Sequence, residues 1–230
     1  MSSLINNEIY LNDLKEYSNY SLDWDKLKNK SIMISGSTGL VGRYFIDLLM
    51  YKNNNDDLNC KLIALGRDKN KALDIFDSYL DNSLFEFLEC DVNSPVEYSD
   101  KVDFIIHAAS NTHPVQYSTD PIGTIKTNVF GTYDLLELAK QNKSEKFVLV
   151  SSFEVYGTVS GKEKISENDF GVVDCTILRS CYPESKRLSE NLTIAYANQY
   201  EMNTNIVRLS RVFGPTMNYN SSLATAQFIK

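Results

Sequence analysis

Residues 31–42 read Ser31-Ile32-Met33-Ile34-Ser35-Gly36-Ser37-Thr38-Gly39-Leu40-Val41-Gly42, and their order decides the fold. The first five form a short run with an apolar centre, the pattern of a strand covered on both faces. Glycines then fall at 36, 39 and 42, and an amphipathic helical pattern follows over about Val41–Tyr51. Gly36 suits a tight turn, Gly39 a close approach of backbone to a pyrophosphate, and Gly42 close helix–strand packing. The helix start presents unpaired N–H groups and a positive dipole end to phosphates. Gly36, Thr38, Gly39, Leu40, Val41 and Gly42 are therefore candidate cofactor-binding residues. A glycine triplet alone would suit any tight turn. The strand before it and the helix after it give this one its weight.

The same alternation continues outward. Strands are expected at Ile32–Ser35, Lys61–Leu65, Phe85–Glu89, Val102–His107, Lys146–Ser151 and Asn205–Leu209. Helices are expected at about Val41–Tyr51, Asn70–Leu80, Ile122–Gln141 and Tyr182–Tyr200. Asp120-Pro121 makes a start signal for the third, with Asp as N-cap and Pro at the first helical position. Such alternation predicts an α/β fold, a Rossmann-like doubly wound parallel sheet. Residues 1–29 read as a lead-in with a short helix around Leu11–Tyr17, and the polar run 53–57 as a surface loop. The cofactor domain is expected to span 30–215. The chain stops at Gln227-Phe228-Ile229-Lys230, inside an amphipathic pattern with no closing signal, so a truncated chain is expected.

Bulk composition narrows the function. The chain has 230 residues, 43% hydrophobic and 23% charged, enough for one sizeable core and ordinary for a globular domain. A net charge of -7 disfavours nucleic acid or an anionic membrane as the main partner. No apolar run reaches the roughly 20 residues needed to span a bilayer, and the N-terminus lacks a signal-peptide layout. Cys60, Cys90, Cys175 and Cys181 have no metal-ligand spacing, and only two histidines occur. No metal site and a reduced, cytoplasmic setting are expected.

Three further stretches carry chemistry. Leu65-Gly66-Arg67-Asp68 closes the second strand, where an acid usually grips the ribose 2′-hydroxyl. Here glycine takes that place beside Arg67, which suits a 2′-phosphate or adenine stacking. Asp68 remains able to reach the ribose, so NAD and NADP both stay open. Solvated loop charges are the plain alternative. Tyr182-Pro183-Glu184-Ser185-Lys186 sets a phenol and an ammonium on one helical face. A free phenol, with pKa near 10, is a poor base at neutral pH. A neighbouring ammonium and a positive nicotinamide favour the phenolate. By itself the spacing also describes a surface i,i+4 pair. Ser151-Ser152-Phe153-Glu154-Val155-Tyr156-Gly157 follows an apolar strand, and a hydroxyl at a strand's C-terminal end lies where ligands bind in such sheets. Ser152 is the candidate donor to a substrate hydroxyl, with a turn-forming serine as the alternative.

GSTGLVG (36–42), HAAS (107–110), TNVFGT (127–132), SSFEVYG (151–157), YPESK (182–186) and RLSRVFGP (208–215), in this order, resemble the extended short-chain dehydrogenase/reductases, the NAD-dependent epimerase/dehydratase family. The likeness covers about residues 30–220. It implies a cofactor domain followed by a small C-terminal lobe that binds a nucleotide-sugar, of which 216–230 would be only the start. Ser152 matches the family's catalytic Ser/Thr, Tyr182 its base and Lys186 the partner of that base. Asp91 and Val92 match an adenine-contacting pair, Ala108, Ala109 and Ser110 the strand end lining the cofactor, and Asn128 a helix asparagine near the active site. Plain alternatives are a strand-end cap for Asp91, close packing for the alanines and a solvated position for Asn128.

Within the family, dehydratases carry Asp then Glu after the catalytic threonine. Phe153 stands in place of that Asp while Glu154 is kept, a pattern that resembles UDP-glucuronate decarboxylases, as do 179–187 and 213–217. Glu154 is then a second acid/base or an orienting carboxylate. Arg211 replaces a frequent asparagine and is a candidate substrate-phosphate contact; Arg208 is either structural or a phosphate contact. The implied chemistry is redox-neutral overall, with transient oxidation at the sugar C4. A simple NADPH-dependent reductase and a non-catalytic dinucleotide-binding protein are the alternatives. The resemblance also implies a homodimer through a four-helix bundle of helices 122–141 and 182–200. The Leu135, Leu136, Leu138 and Ala139 cluster suits either that interface or the core.

Overall fold

A computed structural model describes residues 4–111, 114–217 and 228. The expected end of the chain, 227–230, lies outside the described residues apart from Phe228. Apolar runs at β1 (Ser31–Ser35), β2 (Lys61–Gly66), β3 (Phe85–Glu89), β4 (Phe104–His107), β5 (Lys146–Ser152) and β6 (Thr204–Leu209) form one sheet in the order β3-β2-β1-β4-β5-β6. Every pairing is parallel. The order reverses between β1 and β4, the place where open sheets of this kind leave a crevice at the strand C-termini.

Successive side chains along a strand face opposite ways, which explains the unbroken apolar runs. Ile32, Ile34, Leu62 and Ala64 pack on Ile46, Leu49 and Met50 of α2 (Leu40–Asp56). Met33, Ile63, Leu65, Ile105, Phe147 and Leu149 pack on α5 (Pro121–Asn142) and on Tyr196 of α6 (Cys181–Tyr200). Leu135, Leu136, Leu138 and Ala139 all belong to this second layer, so the core claims them. Each fully buried Leu or Ile stabilises the fold by about 1.5–3 kcal/mol.

Several boundaries differ from the sequence expectation. Residues 53–56 are the last turn of α2 and not a loop. Asn53 explains this, because its side chain donates to Cys60 O at 2.7 Å and accepts from Cys60 N at 2.9 Å. The single helix expected over 70–80 divides into α3 (Lys69–Ile75) and a 3-10 turn, Asp77–Tyr79. The break buries Phe76 and turns the Tyr79 hydroxyl to donate to Asp47 at 3.0 Å. Tyr10, on α1 (Glu8–Ser18), donates to the other Asp47 oxygen at 2.7 Å. This buried carboxyl, raised by desolvation, ties the N-terminal helix to the domain. A short α4 (Pro114–Thr119) precedes α5. Between β3 and β4 the described chain forms no helix, and Val92, Val96 and Val102 fill the core directly.

Candidate active site

The glycine turn is built around Gly36, whose φ of +69° is left-handed. A Cβ there would lie 2.7 Å from both Ala108 O and Ala109 N, so only glycine lets β1 exit against β4. At Gly42 a Cβ would lie 2.4 Å from Gly36 O, so the first turn of α2 presses on the same peptide. Gly39 has ordinary backbone and is exposed, while Thr38, Leu40 and Val41 are half-buried around it. Ser37 is buried and its hydroxyl has no partner among the described residues, a polar atom waiting at the turn. The segment after β6 folds back here, with Thr216 Oγ1 donating to Leu40 O at 2.7 Å. Glycine cradle, helix start and orphaned hydroxyl all fit a dinucleotide pyrophosphate.

Beyond β2, Arg67 is exposed, and Asp68 caps α3 by accepting from Lys71 N at 2.9 Å. Asp91 is exposed and accepts from Asn93 N at 3.0 Å. Val92 is buried in the core, close against Gly131 of α5.

Tyr182 and Lys186 lie at the buried start of α6. The Tyr182 phenol lies near Ser152, at the end of β5, and Ser110, just beyond β4, whose hydroxyls both favour its ionised form. Lys186 Nζ donates to Val150 O at 2.9 Å. Ser110 Oγ also donates to Asn128 Oδ1 at 2.7 Å, and Asn128 Nδ2 donates to Ser185 Oγ at 2.8 Å. Asn128 is wholly buried and bridges α5, α6 and the β4 exit, not a solvated helix position. It reaches Tyr182 through Ser110 and offers no exposed surface. Ala109 N donates to Ser35 Oγ at 3.2 Å, and that oxygen meets His107 Nδ1 at 2.7 Å. The β4 exit that carries Ser110 is thereby held against the glycine turn.

Electrostatics at the site correct one expectation. Burial raises the Tyr182 phenol above its ordinary value; the Ser152 hydrogen bond opposes this, Glu154 adds to it, and Ser110 and Arg179 oppose it. The protein alone therefore does not draw the phenol toward neutrality, because desolvation outweighs its donors. Burial also pushes Lys186 down to about 8, with the Glu190 carboxylate pulling the other way. His107, fully enclosed and facing the Lys186 charge, is held neutral with a pKa of about 3.

Glu154 lies on the 3-10 turn Phe153–Tyr156 and is gripped by Arg179, whose Nη2 donates to its two oxygens at 2.9 and 2.8 Å. Arg208 has a structural role: it pairs with Glu190 at 2.7 Å, while Ser151 donates to Glu190 at 2.6 Å. Arg211 is exposed and forms no hydrogen bond or ion pair among the described residues. Glu190, four residues beyond Lys186, was legible from helical spacing. Arg179, Tyr117 and Thr216 were not, since nothing local marks where their chains cross. Among the described residues no group of three or more His, Cys, Asp or Glu is placed to hold a metal.

The family model described as the NAD dependent epimerase/dehydratase family matches residues 32–230. The chain is 33% identical over 201 residues to UDP-glucuronic acid decarboxylase 3 of Arabidopsis thaliana, covering 87% of this chain and 56% of that protein. It is 33% identical to UDP-glucuronic acid decarboxylase 1 of Xenopus tropicalis, covering 87% of this chain and 45% of the relative. The chain thus spans about half the length of these relatives. Among solved structures, UDP-glucuronic acid 4-epimerase from Bacillus cereus in complex with NAD shares the fold, with a TM-score of 0.67, 23% identity, and 84% and 60% of the two chains covered.

Proposed function

The chain belongs to the NAD dependent epimerase/dehydratase family, and from that premise we propose that it binds NAD and supplies the catalytic half of an enzyme acting on UDP-glucuronic acid or a related nucleotide-sugar. The observation that carries this reading is Tyr182 set against Ser152, with Lys186 buried one helical turn on against the end of β5, in a sheet whose turn tolerates only glycine at 36. Residues 30–215 form the cofactor domain in this reading, and 216–230 open the substrate lobe. Gly36, Thr38, Gly39, Leu40, Val41 and Gly42 hold the pyrophosphate, Asp91 and Val92 border the adenine, and Ala108, Ala109 and Ser110 line the nicotinamide side. Arg211 is a contact for the substrate diphosphate in this reading.

Bound oxidised nicotinamide supplies a hydride acceptor and a positive charge that lowers the phenol. Tyr182 takes the proton of the sugar 4-hydroxyl, which Ser152 orients. Lys186 holds the nicotinamide ribose and stabilises the phenolate. The resulting 4-ketone lets a C5 carboxylate leave as carbon dioxide or a C5 proton be lost, or it is reduced again from its other face to give the C4 epimer. Glu154 serves as the second acid/base, and Tyr182 returns its proton as the ketone is reduced. Phe153 cannot protonate a leaving hydroxide, which disfavours 4,6-dehydration.

Mass spectrometry of ligands released from the full-length protein, with turnover of UDP-glucuronic acid, tests the reading. Bound NAD and release of carbon dioxide or a C4 epimer support it; a protein that retains no dinucleotide would sink it. Arg67, exposed at the end of β2, supports a second reading, an NADPH-dependent reductase. Steady consumption of added NADPH with a keto-sugar separates the two. The four cysteines are free thiols, which supports a reducing, cytoplasmic setting. Ile122, Ile125, Phe130 and Tyr133 of α5 and Leu188 and Ile194 of α6 are exposed apolar side chains. They support a homodimer through a four-helix bundle.

A further inference from the structure

We propose that Arg179, seated on the ring of Tyr117, is a positioning residue that holds the Glu154 carboxylate and the Tyr182 phenol in one fixed arrangement. The inference rests on the reading of Tyr182 as the acid/base group. Arg179 lies in the 3-10 turn Leu178–Ser180, directly before α6. Its guanidinium carbon is 4.5 Å from the centroid of the Tyr117 ring. The same ring stacks on Tyr182, with centroids 4.7 Å apart and planes 23° apart. Tyr117 is 2% exposed, and its carbonyl also receives Cys181 Sγ at 3.8 Å.

The stack gives each part a distinct task. Tyr117 fixes the plane on which the guanidinium rests, an arrangement favoured by the ring quadrupole. Arg179 spends one nitrogen on both oxygens of Glu154, which sets the carboxylate's distance from the phenol. Its Nε and Nη1 make no hydrogen bond among the described residues. Glu154 is an anion facing a group that must itself become anionic, so an unbalanced Glu154 would oppose ionisation of Tyr182. Arg179 offsets part of that effect while leaving the carboxylate in place. The groups around the phenol are Ser110 beyond β4, Tyr117 on α4, Ser152 and Glu154 after β5, Arg179 and Cys181 before and at the start of α6, and Lys186 one turn on. Among them Glu154 is the carboxylate, and Arg179 is its ion-pair partner.

The test uses the NAD-loaded full-length protein and the variants R179Q, R179K and Y117L, with Y182F beside them. NAD binding and thermal melting report the fold, and the pH profile of turnover reports the positioning role. In R179Q the acid limb moves to higher pH by about one unit, roughly a ten-fold loss of turnover on that limb. R179K keeps the charge without the planar fork and falls between wild type and R179Q. Y117L, which keeps Arg179 but removes its seat, shifts the limb in the same direction and answers the question if R179Q does not fold. An unmoved limb, or a loss equal at every pH, overturns the proposal. If Y182F retains turnover, the assignment of Tyr182 fails first. If Y182F is inactive while the other variants keep the wild-type profile, only the positioning role is lost.

Discussion

At the scale of single residues, burial is the dominant force on the chemistry. The same desolvation that raises the Tyr182 phenol pushes Lys186 down to about 8. Lys186 must be charged to stabilise a phenolate, and it loses its proton as pH rises through its own pKa. Turnover should therefore fall on the alkaline side near pH 8, and E190Q should move that fall to lower pH because Glu190 supports the ammonium. A pH–rate profile that stays flat through pH 9 would contradict the role given to Lys186. Y182F should keep NAD binding, seen by calorimetry, while turnover drops by about 10²-fold or more. Asn128 carries structure at this scale. N128L leaves Ser110 and Ser185 without their shared partner in a buried place, a loss of about 1–3 kcal/mol, readable by urea denaturation.

Individual elements show how local rules are obeyed or overruled. Asp120 caps α5 as its sequence suggests, accepting from Gly123 N at 2.9 Å. D120A should cost about 1 kcal/mol, because one helix-start N–H loses its acceptor. The glycine turn is stricter. G36A places a side chain at left-handed φ, costing about 1–3 kcal/mol for the backbone alone, and drives a Cβ into the β4 exit. NAD titration should show no binding by this variant. Tertiary contact overrules local pattern in α2, where a run of asparagines stays helical because Asn53 completes the backbone of Cys60. It does so again after Ile75, where the helix breaks so that Phe76 and Tyr79 can both be buried.

For the whole molecule, the parallel sheet leaves α5 with two unlike faces. One packs Leu135, Leu136, Leu138 and Ala139 onto the strands, and the other turns Ile122 and Tyr133 outward. If that outer face is the dimer seam, I122E with Y133E should yield a monomer by sedimentation with NAD binding intact. Unchanged sedimentation of the variant relative to wild type would remove α5 from the interface.

Sequence reading alone gave the order of strands and helices, the parallel sheet and the glycine turn, and it singled out Ser152, Tyr182 and Lys186 as candidates. These are written in local terms: periodicity, glycine spacing and a pair four residues apart follow from backbone geometry within one element. Which groups surround the phenol was decided only when distant segments met. Tyr117, Arg179 and Glu154 come from three stretches with no shared periodicity, and their mutual position follows from how α4, the turn before α6 and the end of β5 pack. The ionisation of Tyr182 belongs to the same category, because burial depends on every element that closes over it, and no single stretch of chain records that sum.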